Sequence, residues 1–178
     1  MEKTQQPKNS GLQALKPFDV CLGVTLIAFV GAMLGLMFHS AFVALFFLLP
    51  TVIYEVIRTE EGASTKFSSI VLLGIIILEL LFIIGGVNYD LANFFGETEK
   101  NIAGYSLPLG DIKVFGPLLT TILAVVLVFR TYGTYTKWLS IVIACGSLVA
   151  VYLISPTFFQ EALKMIINSL LDRFYYAF

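Results

Sequence analysis

The segment GIIILELLF, Gly74–Phe82, sets one glutamate, Glu79, in the middle of an apolar run that extends over about 69–88. A run of this length matches the roughly 17 to 25 residues that a helix needs to cross a bilayer core about 30 Å thick. Reading outward, four more segments have the same character, at about 18–37, 41–57, 114–129 and 138–154. The chain of 178 residues is 58% hydrophobic and only 13% charged. Its mean hydropathy is +0.89. A soluble domain keeps about a quarter of its residues charged, so the missing charge points to lipid as the solvent. The predicted fold is all-α, a polytopic helical membrane protein with about five transmembrane helices and a C-terminal amphipathic surface helix.

The sequence divides accordingly. A polar tail covers 1–17, the bundle covers 18–156, and a distinct carboxy-terminal segment covers 157–178. The apolar run after the tail is too long for a signal peptide and lacks a good cleavage site, so it reads as a retained span. Only Phe38, His39 and Ser40 separate the first two spans. This predicts a very tight helical hairpin, with a broken or re-entrant element as the alternative. Pro50 is expected to kink the second span. In the last segment Phe159, Leu163, Ile166, Leu170 and Phe174 recur at helical spacing, with Gln160, Glu161, Lys164, Asn168 and Asp172 on the other face. That pattern suits the membrane surface or a partner, not a span.

Charge orients the bundle. Five spans put Lys3, Lys8, Lys16, Arg58, Lys66, Arg130 and Lys137 on one side, against Lys100, Lys113, Lys164 and Arg173 on the other. The positive-inside rule then makes the amino terminus cytoplasmic and the carboxy terminus external, in what reads as a prokaryotic plasma membrane. Trp138 and the nearby tyrosines fit an aromatic belt. Net charge is −1, so there is no electrostatic footprint for nucleic acid.

Glu79 is the sharpest candidate site. A charge at mid-membrane costs about 2.5–3.5 kcal/mol on insertion scales. Helical geometry puts Leu72, Ile75, Ile76, Phe82, Ile83 and Gly86 on its side, with Ser68 in line. Gly86 is expected to let a neighbouring helix approach this face. No lysine or arginine falls within a span, so the expectation is a neutral acid hydrogen-bonded to a hydroxyl or carbonyl. Donors are available at Thr25, Thr51, Tyr54, Thr120, Thr121, Ser140, Ser147 and Tyr152. The functional interpretation is a proton- or cation-binding group; the alternative is a structural bond between helices. This reading assigns no second ionisable group to the interior, which weakens transport.

Gly31 and Gly35, with Ala28 and Ala32 beside them, form a small-residue stripe on the first span for packing within the bundle or against a partner. Arg130 and Lys137 could hold lipid phosphates, or serve only as topology signals. His39 reads as an interfacial polar residue. Cys21 and Cys145 read as packing residues, and no metal site or cofactor is expected. The connection over 89–113 interleaves acids with aromatics and suits a docking role or rest on the membrane interface; its acids lack the order of a calcium loop. No catalytic motif is present, and no enzymatic chemistry is expected. Beyond the lipid bilayer, the expected partners are other membrane subunits or further copies of the chain. The leading functional expectation is a structural or accessory subunit of a larger membrane complex. The alternatives are a small oligomeric proton, ion or solute transporter using Glu79, and a receptor or immunity-type binder using 89–113.

Overall fold

A computed structural model of the chain describes residues 17–59, 63–86, 99–102, 105–108, 112–131 and 133–177. The polar amino-terminal tail, and Asp90, Phe94, Phe95, Glu97 and Asp111 of the long connection, lie outside these residues. The fold is a helical bundle. Its helices are α1 (Pro17–Phe38), α2 (Ala41–Arg58), α3 (Ala63–Ile84), α4 (Ile112–Arg130), α5 (Thr134–Ile154) and α6 (Pro156–Ala177). The first five are long and apolar enough to cross a membrane. Between α3 and α4 sits a small antiparallel hairpin, β1 (Glu99–Ile102) with β2 (Tyr105–Pro108), pairing Glu99 with Pro108 and Ile102 with Tyr105.

The segment over 18–57 forms two complete helices and no re-entrant element. His39 adopts a left-handed backbone, φ 50°. Around it Ser40 N–H donates to the Gly35 carbonyl at 2.9 Å and His39 N–H to that of Leu36 at 3.4 Å. These two bonds close a helix in a Schellman-type turn, a place where glycine is the usual occupant. Two residues therefore suffice to reverse the chain. α2 then runs on through Pro50 as one helix.

The third span differs in its bounds. It begins at Thr65 and ends at Ile84, several residues ahead of the expected 69–88. It ends early because Gly85 and Gly86 turn the chain, with Gly86 at φ 60°. It begins early because its polar first turns have partners. Ser69 is fully buried, and its hydroxyl donates to the Thr65 carbonyl at 3.3 Å.

α2, α3, α4 and α5 each pack against the next, and α2 also packs against α5, so the four form a ring. α1 lies in the outer groove between α2 and α5. The core contains Leu45, Leu48 and Val52 of α2, Leu72, Ile76 and Leu80 of α3, Ala124 and Leu127 of α4, and Ile143, Ala144 and Ala150 of α5, with Ala28 from α1. The outer faces carry exposed Phe29, Met33, Ile77, Leu81, Val125 and Phe129, the surface that lipid would cover. α6 meets the end of α5, where Tyr152 and Phe159 form an edge-on ring pair 5.6 Å apart, and it also passes beside β2.

Close approach of α1 to α2 depends on missing side chains. A carbon added at Gly35 would lie 2.8 Å from Ala44 Cβ, and one at Gly31 would collide with Phe47. The small-residue stripe is thus placed against the chain's own second helix. Gly31→Ala should destabilise the bundle by about 1–3 kcal/mol through overpacking, whereas Gly23→Ala, which meets open space within 4 Å, should leave it unchanged. Thermal melts of the two variants in detergent measure the contrast.

Candidate functional site

Among the described residues, two carboxyl groups lie inside the bundle. Glu79 of α3 is 2% exposed and Glu55 of α2 is 1% exposed. Glu79 is on the face that also buries Leu72, Ile76 and Leu80. It faces α4 at the one point where that helix lacks a side chain: a carbon built on Gly116 would lie 2.9 Å from Glu79 Oε2 and 3.1 Å from its carboxyl carbon. The glycine that admits this face is therefore Gly116. Gly86 is exposed and has nothing within 4 Å of the Cβ position, so it serves the turn after α3 and not a helix contact.

The expected hydrogen bond from a hydroxyl to Glu79 is not formed. Neither of its oxygens has a hydrogen-bond partner among the described residues. The reason is local. Thr120 donates to the Gly116 carbonyl at 3.0 Å and Thr121 to that of Pro117 at 2.8 Å, each on its own helix. Thr25 likewise donates to the Cys21 carbonyl at 2.7 Å. Thr51 crosses to α1 and donates to the Val24 carbonyl at 3.2 Å. Such back-bonding to the preceding turn consumes a hydroxyl's donor.

Glu55 is the group that sequence reasoning missed, and it supplies the second interior acid judged absent. Standing one turn from Arg58 at the end of its span, it reads as interfacial. The available signal was the spacing of Thr51, Glu55 and Thr59, which form one polar stripe on α2. All three are buried. The Ser140 hydroxyl of α5 shares its single proton between Glu55 Oε1 and the Thr136 carbonyl, the latter at 3.0 Å, while Glu55 Oε2 has no hydrogen-bond partner among the described residues. One turn nearer the helix end, Thr59 donates to the Glu55 carbonyl at 2.7 Å and lies 3.3 Å, hydroxyl to hydroxyl, from Ser69 of α3. Ser147 of α5 adds another buried hydroxyl, its oxygen unpartnered among the described residues.

The other sequence candidates lie elsewhere. Ala28, Gly31 and Gly35 are buried, and Ala32 is half-buried. Arg130 ends α4 and Lys137 is in the first turns of α5, both exposed. The structure therefore puts them at the same end of the bundle without joining them to either carboxyl. His39 is exposed in its turn. Among the described residues no group of three or more His, Cys, Asp or Glu side chains is placed to hold a metal ion. Comparison with known proteins gives no match: no family model, no curated protein and no solved structure is recognisably similar to the chain.

The arrangement is one in which carboxyl groups are held away from water with incomplete bonding, among hydroxyls and aliphatic side chains. It can take up a proton or a small cation. Ser140→Ala should cost about 1–3 kcal/mol by leaving Glu55 Oε1 without its donor, and Gly116→Ala should force the Glu79 carboxyl aside. Both should lower the melting point in detergent, and a variant as stable as the parent would refute the contact it removes.

Proposed function

We propose that this chain is a small membrane carrier or channel for protons or another small cation, with Glu79 as the binding group. One observation carries the reading: the Glu79 carboxyl is buried on the α3–α4 seam without a hydrogen-bond partner among the described residues. An acid kept only to tie helices together would have a partner there, since unpaired polar groups inside a membrane are costly. A group that must bind and release an ion has to stand ready for it. The buried hydroxyls of Thr51, Thr120, Ser140 and Ser147 give the bundle interior a polar lining. The exposed Arg130 and Lys137 and half-buried Arg58 favour an orientation with that end in the cytoplasm.

The accessory-subunit reading has its own support. Leu163, Ile166, Ile167 and Leu171 of α6 are 40 to 60% exposed, an apolar row that either the membrane surface or another subunit could cover. Discrete partners retained through mild-detergent purification would favour it.

Reconstituted flux separates these readings. Proteoliposomes containing the parent chain should take up protons or a monovalent cation under an imposed potential, and Glu79→Gln, which keeps the shape of the side chain, should assemble normally and carry nothing. Equal flux in parent and variant, or none in the parent, counts against transport through Glu79.

A further inference from the structure

The role given to Glu79 leaves a second interior carboxyl unused. We propose that Glu55 and Ser140 form a second proton-binding site, working in series with Glu79 across the bundle interior. The inference rests on the transport reading and commits it to protons passed between two acids at different depths.

Contacts between the helices fix those depths. Thr59 of α2 meets Ser69 of α3, and Glu55 lies one turn deeper on α2. Glu79 is ten positions beyond Ser69, so it sits about 9 Å further along the bundle axis than Glu55 at 1.5 Å per residue. On α5, Ser140 touches Glu55, and Ser147 is about 10 Å further in the same direction. Ser147 therefore lies at the level of Glu79. On α4, Gly116 faces Glu79, and Thr120 lies about 6 Å back toward Glu55. Hydroxyls thus occur at both carboxyl levels and between them. Leu72, Ile76 and Ile143, each fully buried, form an apolar partition over the same depth. A partition of this kind stops free leakage and leaves passage to groups that can hold a proton.

Glu55 is built for that task at a specific atom. Ser140 donates to Oε1 and leaves Oε2 buried, with no hydrogen-bond partner among the described residues. A proton arriving at Glu55 forms an O–H bond at Oε2 and turns carboxylate into acid. On handover that bond breaks, Glu55 returns to carboxylate, and a new O–H bond forms on Glu79. The offset exceeds hydrogen-bond reach, so the proton crosses through hydroxyls or water admitted between the helices. The charged and titratable groups at this end of the elements around Glu55 are Tyr54 and Arg58 on α2 itself, Asp19 and Cys21 on α1, Lys66 on α3 and Tyr135 and Lys137 on α5, with Arg130 at the same end of α4. Asp19, Lys66, Arg130 and Lys137 are exposed and Arg58 is half-buried. On the elements around Glu79 the charged and titratable groups are Lys66 on α3 itself, half-buried Lys113 and exposed Arg130 on α4, and Tyr54, Glu55 and Arg58 on α2.

The test uses the purified full chain in vesicles loaded with a pH-sensitive dye, under an imposed potential. Glu55→Gln and Glu79→Gln should each reduce proton entry to the level of empty vesicles, and Ser140→Ala should keep entry but shift its pH dependence. Parent-like entry in Glu55→Gln, with Glu79→Gln silent, overturns the two-site proposal and leaves the Glu79 reading standing. A silent parent overturns both. Difference infrared spectroscopy supplies a second readout. A titrating carboxylic-acid band should survive in Glu79→Gln and vanish when Glu55→Gln is added to that variant. Should Glu55→Gln not fold, Ser140→Ala in the Glu79→Gln background must move that band, and a band that stays in place overturns the proposal.

Discussion

In hydrocarbon a polar group has only the protein to bond with, and most of this bundle is arranged around that fact. The backbone meets it by being helical. The hydroxyls meet it mainly on their own helices: Thr25 with Cys21, Thr59 with Glu55, Ser69 with Thr65, Thr120 with Gly116, and Thr121 with Pro117. A serine or threonine bonded in this way can sit inside a span without a partner on another helix. Carboxyl groups have no such local remedy in the ionised form, because backbone carbonyls offer them no donor. They have to look across a seam, and the two buried among the described residues do so with different success. Glu55 finds Ser140 for one of its oxygens; Glu79 finds room but no bond among the described residues.

That room is made by glycine. Where helices meet most closely, at Gly31 and Gly35 on α1, Gly116 on α4 and Gly146 on α5, a side chain would run into the facing element. Two of these contacts, Gly31 with Phe47 and Gly146 with Leu48, seat large side chains of α2. Gly116 seats a carboxyl. The same device, applied to an acid in place of a hydrocarbon, turns a packing contact into a candidate binding position.

The number of spans was legible because length and hydropathy together leave little choice in a bilayer. So was Glu79, a lone acid far from either end of its run. The bounds of α3 were not, because hydropathy counts Thr65, Ser68 and Ser69 as polar and cannot see that Ser69 is buried with a bonded hydroxyl. Glu55 was missed for a related reason. Its proximity to Arg58 suggests an exposed helix end, and only its spacing with Thr51 and Thr59 hints at an inward stripe. Gly86 was misread because a glycine at helical spacing looks the same whether it packs or turns. Beyond the α1–α2 hairpin, helix neighbours could not be read. α1 is apolar all around, so apart from its small-residue stripe, which meets α2, nothing in its periodicity selects the side that faces α5.

The seam between α1 and α5 has a bearing on how the molecule is made. Trp138 donates its indole N–H to the Thr25 hydroxyl at 3.0 Å, across 113 positions of sequence. Among the five apolar helices described, the earliest in sequence, α1, thus completes its packing against the latest, α5. During synthesis α1 and α2 can pair at once through their short turn, but the groove that receives α1 does not exist until α5 has entered the membrane. The α1–α5 contact is therefore a closure step that must wait for α5, and until then the inner faces of α2 and α3, with Glu55 and Glu79 among them, lack the helix that covers them.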